Sequence, residues 1–199
     1  MPLEQLVLAS GNAGKLKELA HLLQPLHMTV RSQADFEVDP PEETGLTFVE
    51  NALIKAREAT RVSGLPALGD DSGLVVDALD GEPGIYSARF AGPDASDTDN
   101  NRLLLKRLAG LPLERRNAHF HCCLVMLQSA EDPAPLIATG TWHGQILEAP
   151  RGKGGFGYDP LFLDPKLGVT AAELTMAEKA QISHRGKALA ALIERIRGG

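Results

Sequence analysis

The chain is predicted to fold as an α/β protein, and three features of its patterning carry that expectation. Short apolar runs of strand type, beginning with Gln5 to Ala9, are followed by stretches with apolar residues at helical spacing. Two helix starts, Thr47-Phe48-Val49-Glu50 and Thr175-Met176-Ala177-Glu178, have the capping-box form, a threonine with a glutamate three positions on. Two long strand-type segments, Ala118 to Leu127 and Leu136 to Leu147, meet through Glu131-Asp132-Pro133, which is a hairpin signal. A length of 199 residues suits one well-filled domain and is short for two of ordinary size, so residues 1–199 are taken as a single domain.

Composition narrows the function classes. A hydrophobic fraction of 43% with 23% charged residues is that of an ordinary soluble protein. The net charge of -6 argues against non-specific attachment to nucleic acid or to an anionic membrane, since both need a basic footprint. An anionic small molecule would therefore need local cations or a metal. Met1 to Ser10 lacks the basic cluster and apolar length of a signal peptide, and no apolar stretch approaches membrane-spanning length, so a cytoplasmic protein is expected. Cys122 and Cys123 are adjacent and are the only cysteines, which gives neither a disulfide framework nor a paired metal motif.

Taken in order, Gln5 to Ala9 is a strand, Ser10-Gly11-Asn12-Ala13-Gly14-Lys15 a glycine loop, and Leu16, Leu19, Ala20 and Leu23 mark a helix. Such a loop points backbone N–H groups out of a helix N-terminus, where a nearby lysine adds to an environment that favours phosphate. It is not a P-loop: Gly11 and Gly14 enclose two residues rather than four, and Leu16 follows the lysine. A plain helix-capping turn remains the alternative. A second strand is expected around Met28 to Arg31, then an acidic, turn-rich segment from Asp35 to Gly45. The helix opened by Thr47 should run to about Ser63 and carry Lys55; Glu42 or Glu43 before it could be a mere dipole partner, and a lone helical lysine is usually solvated.

Two adjacent carboxylates, Asp70-Asp71, are held between glycines within Leu68-Gly69-Asp70-Asp71-Ser72-Gly73. With Leu65 to Leu68 leading in and Leu74-Val75-Val76 leading out, the pair is expected in a turn at a strand end. Adjacent anions repel unless a cation joins them, and a hard divalent ion such as Mg²⁺, which takes one or two carboxylates and keeps places for water and phosphate oxygens, meets that need. Gly81 to Phe90 has no clean period and reads as a structured loop, followed by a helix from Asp97 to Leu108 capped by Ser96. His119 and His121 alternate on one strand face, a weak metal signal without a third ligand.

Gly152, Gly154 and Gly157 formally satisfy the dinucleotide fingerprint, but Tyr158-Asp159-Pro160-Leu161-Phe162 follows and predicts an extended segment where the fingerprint needs a helix. A loop with Phe156 between glycines suits a flat ring, on which the aromatic can stack; a core phenylalanine is the plainer alternative. The last helix has Leu189, Leu192, Ile193 and Ile196 as its buried stripe. His184 and Arg185 at its start oppose the macrodipole unless an anion or acceptor answers them.

Six segments in this order, SGNAGK (10–15), EETGLTFVENALIKA (42–56), DDSGL (70–74), PGIYSARF (83–90), GGFGYDP (154–160) and ISHRGKAL (182–189), resemble the inosine/xanthosine triphosphate pyrophosphatase family, the bacterial dITP/XTP pyrophosphatases in particular. The resemblance covers essentially the whole chain. It implies an elongated α/β fold with a central mixed, curved β-sheet flanked by helices and two lobes with a nucleotide cleft between them. The implied reaction is Mg²⁺-assisted hydrolysis of ITP, dITP and XTP to the monophosphate and pyrophosphate, by a homodimer. It also implies roles: Asp71 as proton acceptor and metal ligand, Glu43 as a second metal-site carboxylate, and Ser10, Gly11, Asn12, Ala13, Gly14, Lys15, Ser72, Phe156, Gly157, Tyr158, Asp159, Lys179, His184 and Arg185 as substrate contacts. Lys55 is similar in position to a lysine near the phosphates. A pyrophosphatase for pyrimidine or modified nucleotides, and a nucleotide sensor without turnover, are the rival classes.

Overall fold

Strand β1 (Gln5–Ala9) is buried along Leu6 to Ala9 and pairs in parallel with β2 (Thr29–Ser32) on one side and β3 (Ala67–Val76) on the other. A strand covered on both faces reads as the continuous apolar run seen in the sequence. The computed structural model describes residues 5–24 and 29–198, so Met28, the first residue of the expected second strand, lies outside them. The remaining elements are α1 (Ala13–Leu23), α2 (Phe48–Ser63), α3 (Asp97–Arg107), β4 (Asn117–Leu127), β5 (Leu136–Ile146), β6 (Phe162–Asp164), β7 (Val169–Thr170), α4 (Met176–Ile182) and α5 (His184–Gly198). The strands form one open mixed sheet in the order β2-β1-β3-β4-β5-β6-β7, with β6 antiparallel to both its neighbours.

The chain divides into two compact units. The first comprises Met1–Asp71, Cys122–Gly140 and Arg185–Gly199; the second comprises Ser72–His121 and Thr141–His184. In the first, Leu6, Leu8, Leu19, Leu68, Leu124, Leu189 and Leu192 form a core, and a second cluster packs Ala52 and Ala56 of α2 against Cys123, Val125 and Leu127 of β4. In the second, Leu104, Leu108, Phe120, Trp142, Tyr158 and Phe162 do the same. No helix among the described residues is long and apolar enough to cross a membrane.

The helix starts follow the sequence signals. Thr47 accepts the Glu50 N–H, and Thr175 forms the full capping box with Glu178. Gly64 closes α2 in the left-handed conformation at φ 68°. The acidic pair departs from expectation: Asp70 and Asp71 lie inside the ten-residue strand β3, buried, and not in a turn at a strand end. Gly69 and Gly73 serve close approach rather than turning. A Cβ on Gly69 would stand 2.1 Å from the Ala52 carbonyl of α2, and one on Gly73 would stand 2.2 Å from the Gly84 carbonyl. The residues after the second glycine-rich segment also differ, since Tyr158 to Leu161 form a turn before the extended β6 begins. As expected, they open no helix.

Candidate active site

Within the first unit, α1, α2 and α5 bring three cations, Lys15, Lys55 and Arg185, onto the two aspartates of β3. Asn12 caps α1 by accepting the Lys15 N–H at 3.0 Å, and the Ser10 hydroxyl accepts the Asn12 N–H, so the Ser10 to Lys15 loop is held by its own side chains. The Lys15 ammonium reaches Asp70 Oδ1 at 3.0 Å. Arg185, at the first turn of α5, donates Nε–H to Asp70 Oδ2 at 2.7 Å and a second N–H to Glu18 of α1. These carboxylates are the acceptors that a cation at a helix start requires. Burial works against the guanidinium, but Asp70 and Glu18 outweigh it, and the Arg185 pKa lies above the ordinary arginine value. The Cys122 thiol adds a contact to Asp70 Oδ2 at 3.6 Å. Both Asp70 oxygens are therefore engaged, and its side chain has no exposure.

Asp71 is held differently. Lys55 of α2 reaches Asp71 Oδ1 at 2.6 Å and Glu43 Oε1 at 2.9 Å, so one ammonium joins two carboxylates. A lysine expected to be solvated is instead mostly buried, because α2 lies close over Gly69 and its partners come from the preceding loop and the strand beneath. Burial raises the Asp71 pKa, and Lys55 and Lys15 only partly offset it. Asp71 Oδ2 is buried without a hydrogen-bond partner among the described residues. An unpaired buried carboxylate oxygen is costly, which suits a cation ligand or a proton acceptor. Glu43 and Asp71 are the carboxylates that could hold a hard divalent ion. No group of three or more His, Cys, Asp or Glu side chains among the described residues could hold an ion unaided.

The second unit holds the other expected residues, and Asp159 and Lys179 gather on the Phe156 loop. Asp159 accepts the Phe156 N–H at 2.9 Å and the Lys179 ammonium at 2.5 Å, and that ammonium stands 5.1 Å from the Phe156 ring centroid. Gly157, at φ 60°, is pinned by α3: its N–H donates to Asp97 and its carbonyl accepts from Asn101. Tyr158 is built into the core, with its hydroxyl donated to the Ser87 carbonyl. His184 is buried and stacks on Phe120 at 4.8 Å. Ser72, half-buried, follows Asp71 on β3.

Glu18, Asn51, Asp97, Asn101 and Phe120 were not singled out by the sequence. Each is an ordinary residue of a helix or strand, and the partners of all but Asn51, which meets Gly45 six positions away, are remote in the chain; Glu18, one turn after Lys15 on α1, offered a local hint. Burial pushes the Cys123 thiol up to about 11 and Cys122 well above its ordinary value, so neither is a ready nucleophile. The His119 ring lies 5.4 Å from that of His143, with no third ligand group among the described residues.

Comparison with known proteins assigns the family. A dITP/XTP pyrophosphatase of Shigella flexneri is 56% identical over 197 residues, covering 99% of this chain and all of the relative. One of Xanthomonas oryzae pv. oryzae is 58% identical over 190 residues, 96% of each chain. The solved structure of a HAM1 protein from Coxiella burnetii superposes with a TM-score of 0.88 at 48% identity, covering 98% of this chain and 99% of that one. The model described as the Ham1 family matches residues 6–195, and this chain belongs to that family.

Proposed function

We propose that the protein hydrolyses deaminated purine nucleoside triphosphates, ITP, dITP and XTP, to the monophosphate and pyrophosphate, and so clears them from the cytoplasmic nucleotide pool. The whole chain acts as one pyrophosphatase domain, assembled as a homodimer. The observation that carries the chemistry is the Asp71 carboxylate, buried with one oxygen on Lys55 and the other unpaired. The relatives' activity supports the substrate class.

In this reading Glu43 and Asp71 would hold Mg²⁺, which when bound would neutralise phosphate charge and lower the pKa of its water. The chain's own residues do the rest. The loop Ser10-Gly11-Asn12-Ala13-Gly14 presents backbone N–H groups beside Lys15, and Lys15 and Lys55 supply positive charge to the triphosphate. Asp71, made more basic by burial, accepts a proton from water as its oxygen attacks the α-phosphorus, and pyrophosphate leaves. Ser72 adds a hydroxyl at the adjacent position. The Phe156 to Asp159 loop, braced by Lys179, provides the aromatic face for the purine. His184 and Arg185 donate to the 6-keto oxygen of hypoxanthine or xanthine. Adenine presents an amino donor there, so the N–H groups turned to the base would lose their acceptor, and such sites discriminate by about 10⁴-fold or more in favourable cases.

A pyrophosphate-release assay on ITP, XTP, GTP, ATP and dTTP, with and without Mg²⁺, tests the proposal. Turnover is expected on ITP and XTP with the metal. A preference for dTTP or ATP would reject the assignment of base. Binding of ITP without release of pyrophosphate would favour the sensor instead.

A further inference from the structure

Asn51 lies on α2 one turn before Lys55 and so shares its face of the helix, and its side chain is fully buried. Its Oδ1 accepts the Gly45 N–H at 2.9 Å. The next N–H, that of Leu46, donates to Glu50 Oε2 at 2.9 Å, and the Thr47 hydroxyl donates to the same oxygen at 2.8 Å. Residues 45–47 are thus fastened to the first turns of α2 at three successive positions. The fit leaves no spare room, since a Cβ on Gly45 would stand 2.6 Å from both Asn51 Oδ1 and Glu50 Cβ. Two residues upstream of Gly45, Glu43 meets the Lys55 ammonium.

Asn51 Nδ2 has no hydrogen-bond partner among the described residues. A buried amide with an unpaired donor carries a desolvation cost. What the amide contributes in return is the contact from Oδ1 to Gly45. We propose that Asn51 is a positioning residue: by holding Gly45 it fixes the Glu43 carboxylate beside Lys55 and Asp71, where a divalent cation and its phosphate ligands would be received. The inference rests on the reading of Glu43 as a metal-site carboxylate. Groups that orient a ligand without touching the ion commonly set metal affinity by about 10- to 100-fold.

Asn51→Ala should therefore raise the Mg²⁺ concentration for half-maximal ITP turnover by about 10- to 100-fold, while turnover at saturating Mg²⁺ changes far less. Gly45→Ala, which leaves Asn51 intact and lifts the loop from the other side, should move the Mg²⁺ requirement in the same direction. Two readouts are independent of activity. Electron paramagnetic resonance of free Mn²⁺, with the non-hydrolysable α,β-imido analogue of ITP present, should show weaker Mn²⁺ binding in both variants. Hydrogen exchange should quicken across residues 43–47 while the rest of α2 stays protected. Wild-type Mn²⁺ affinity in both variants would overturn the proposal, as would loss of protection along all of α2 with an unaltered metal requirement. Glu43→Gln separates the two layers. If it weakens Mn²⁺ binding and Asn51→Ala does not, Asn51 alone is misassigned; if Glu43→Gln itself binds Mn²⁺ normally, the role of Glu43 fails and the proposal falls with it.

Discussion

Asp70 and Asp71 are neighbours on one strand, yet the regions around them are opposites. Asp70 is saturated: Lys15 takes one oxygen, Arg185 and Cys122 share the other, and α1 and α5 are joined to β3 through it. Asp71 is left open, with Lys55 on one oxygen and the other buried without a partner among the described residues. Because side chains alternate along a strand, adjacent residues face different neighbours, and β3 turns one aspartate to several charged partners and leaves the other as the candidate for chemistry. A fully partnered carboxylate stabilises and does nothing else; one that lacks a partner is costly to the fold and available to a substrate.

The largest expected effect breaks that comparison at Asp71. Asp71→Asn should lower pyrophosphate release by about 10²- to 10⁴-fold, the usual contribution of a positioned base. Burial already works against the Asp71 charge, so the urea midpoint of this variant should hold or rise. Release within a few-fold of the parent would remove Asp71 as the base. The next effect is of the other kind. Asp70→Asn leaves Lys15 and the buried Arg185 facing a neutral amide, and urea unfolding should show a loss of about 3–5 kcal/mol. If both variants lost stability equally, the division of labour between the two aspartates would be wrong.

That division was not legible in the sequence, and the reason is physical. Helix limits and caps depend on neighbours a few residues away, so Thr47, Ser96 and Thr175 marked the starts of α2, α3 and α4 correctly. The β4–β5 pair was legible for the same reason, since its connection is local and Asp132 closes it by accepting the Gln128 and Ala134 N–H groups. Whether Gly69 and Gly73 turn the chain or admit another backbone depends on Ala52 and Gly84, which no local pattern reveals. The same holds for the charges. Lys55 meets residues 12 and 16 positions away, and Arg185 meets Glu18 across 167 positions. Gly157 is fixed by Asp97 and Asn101 from a helix that the sequence offered only as packing.

The smallest effect tests whether the contrast between partnered and unpartnered charge extends to groups of like sign. His119 on β4 is half-buried, with the His143 ring 5.4 Å away and His121 two residues along the strand. Burial first, and His143 second, hold its pKa below the ordinary histidine value, while Asp77 pulls weakly the other way. His121 is lowered as well, by burial and then by His119. A histidine whose folded pKa lies below its unfolded value of about 6.5 binds fewer protons folded than unfolded as the solution is acidified. Its contribution is therefore whole above about pH 6.5 and is lost as the pH falls through that value toward the folded pKa. One proton sets a ceiling of about 1.4 kcal/mol per pH unit on that slope, and the partial exposure of His119 keeps the real figure well below it. Urea unfolding from pH 7.5 downward should show the decline, and His119→Gln should flatten it without moving the midpoint at pH 7.5. An unchanged slope would mean that the acid sensitivity arises elsewhere, with His121, lowered in the same direction, the next group to test; Asp71 cannot be its source, because a raised pKa makes its contribution grow as the pH falls.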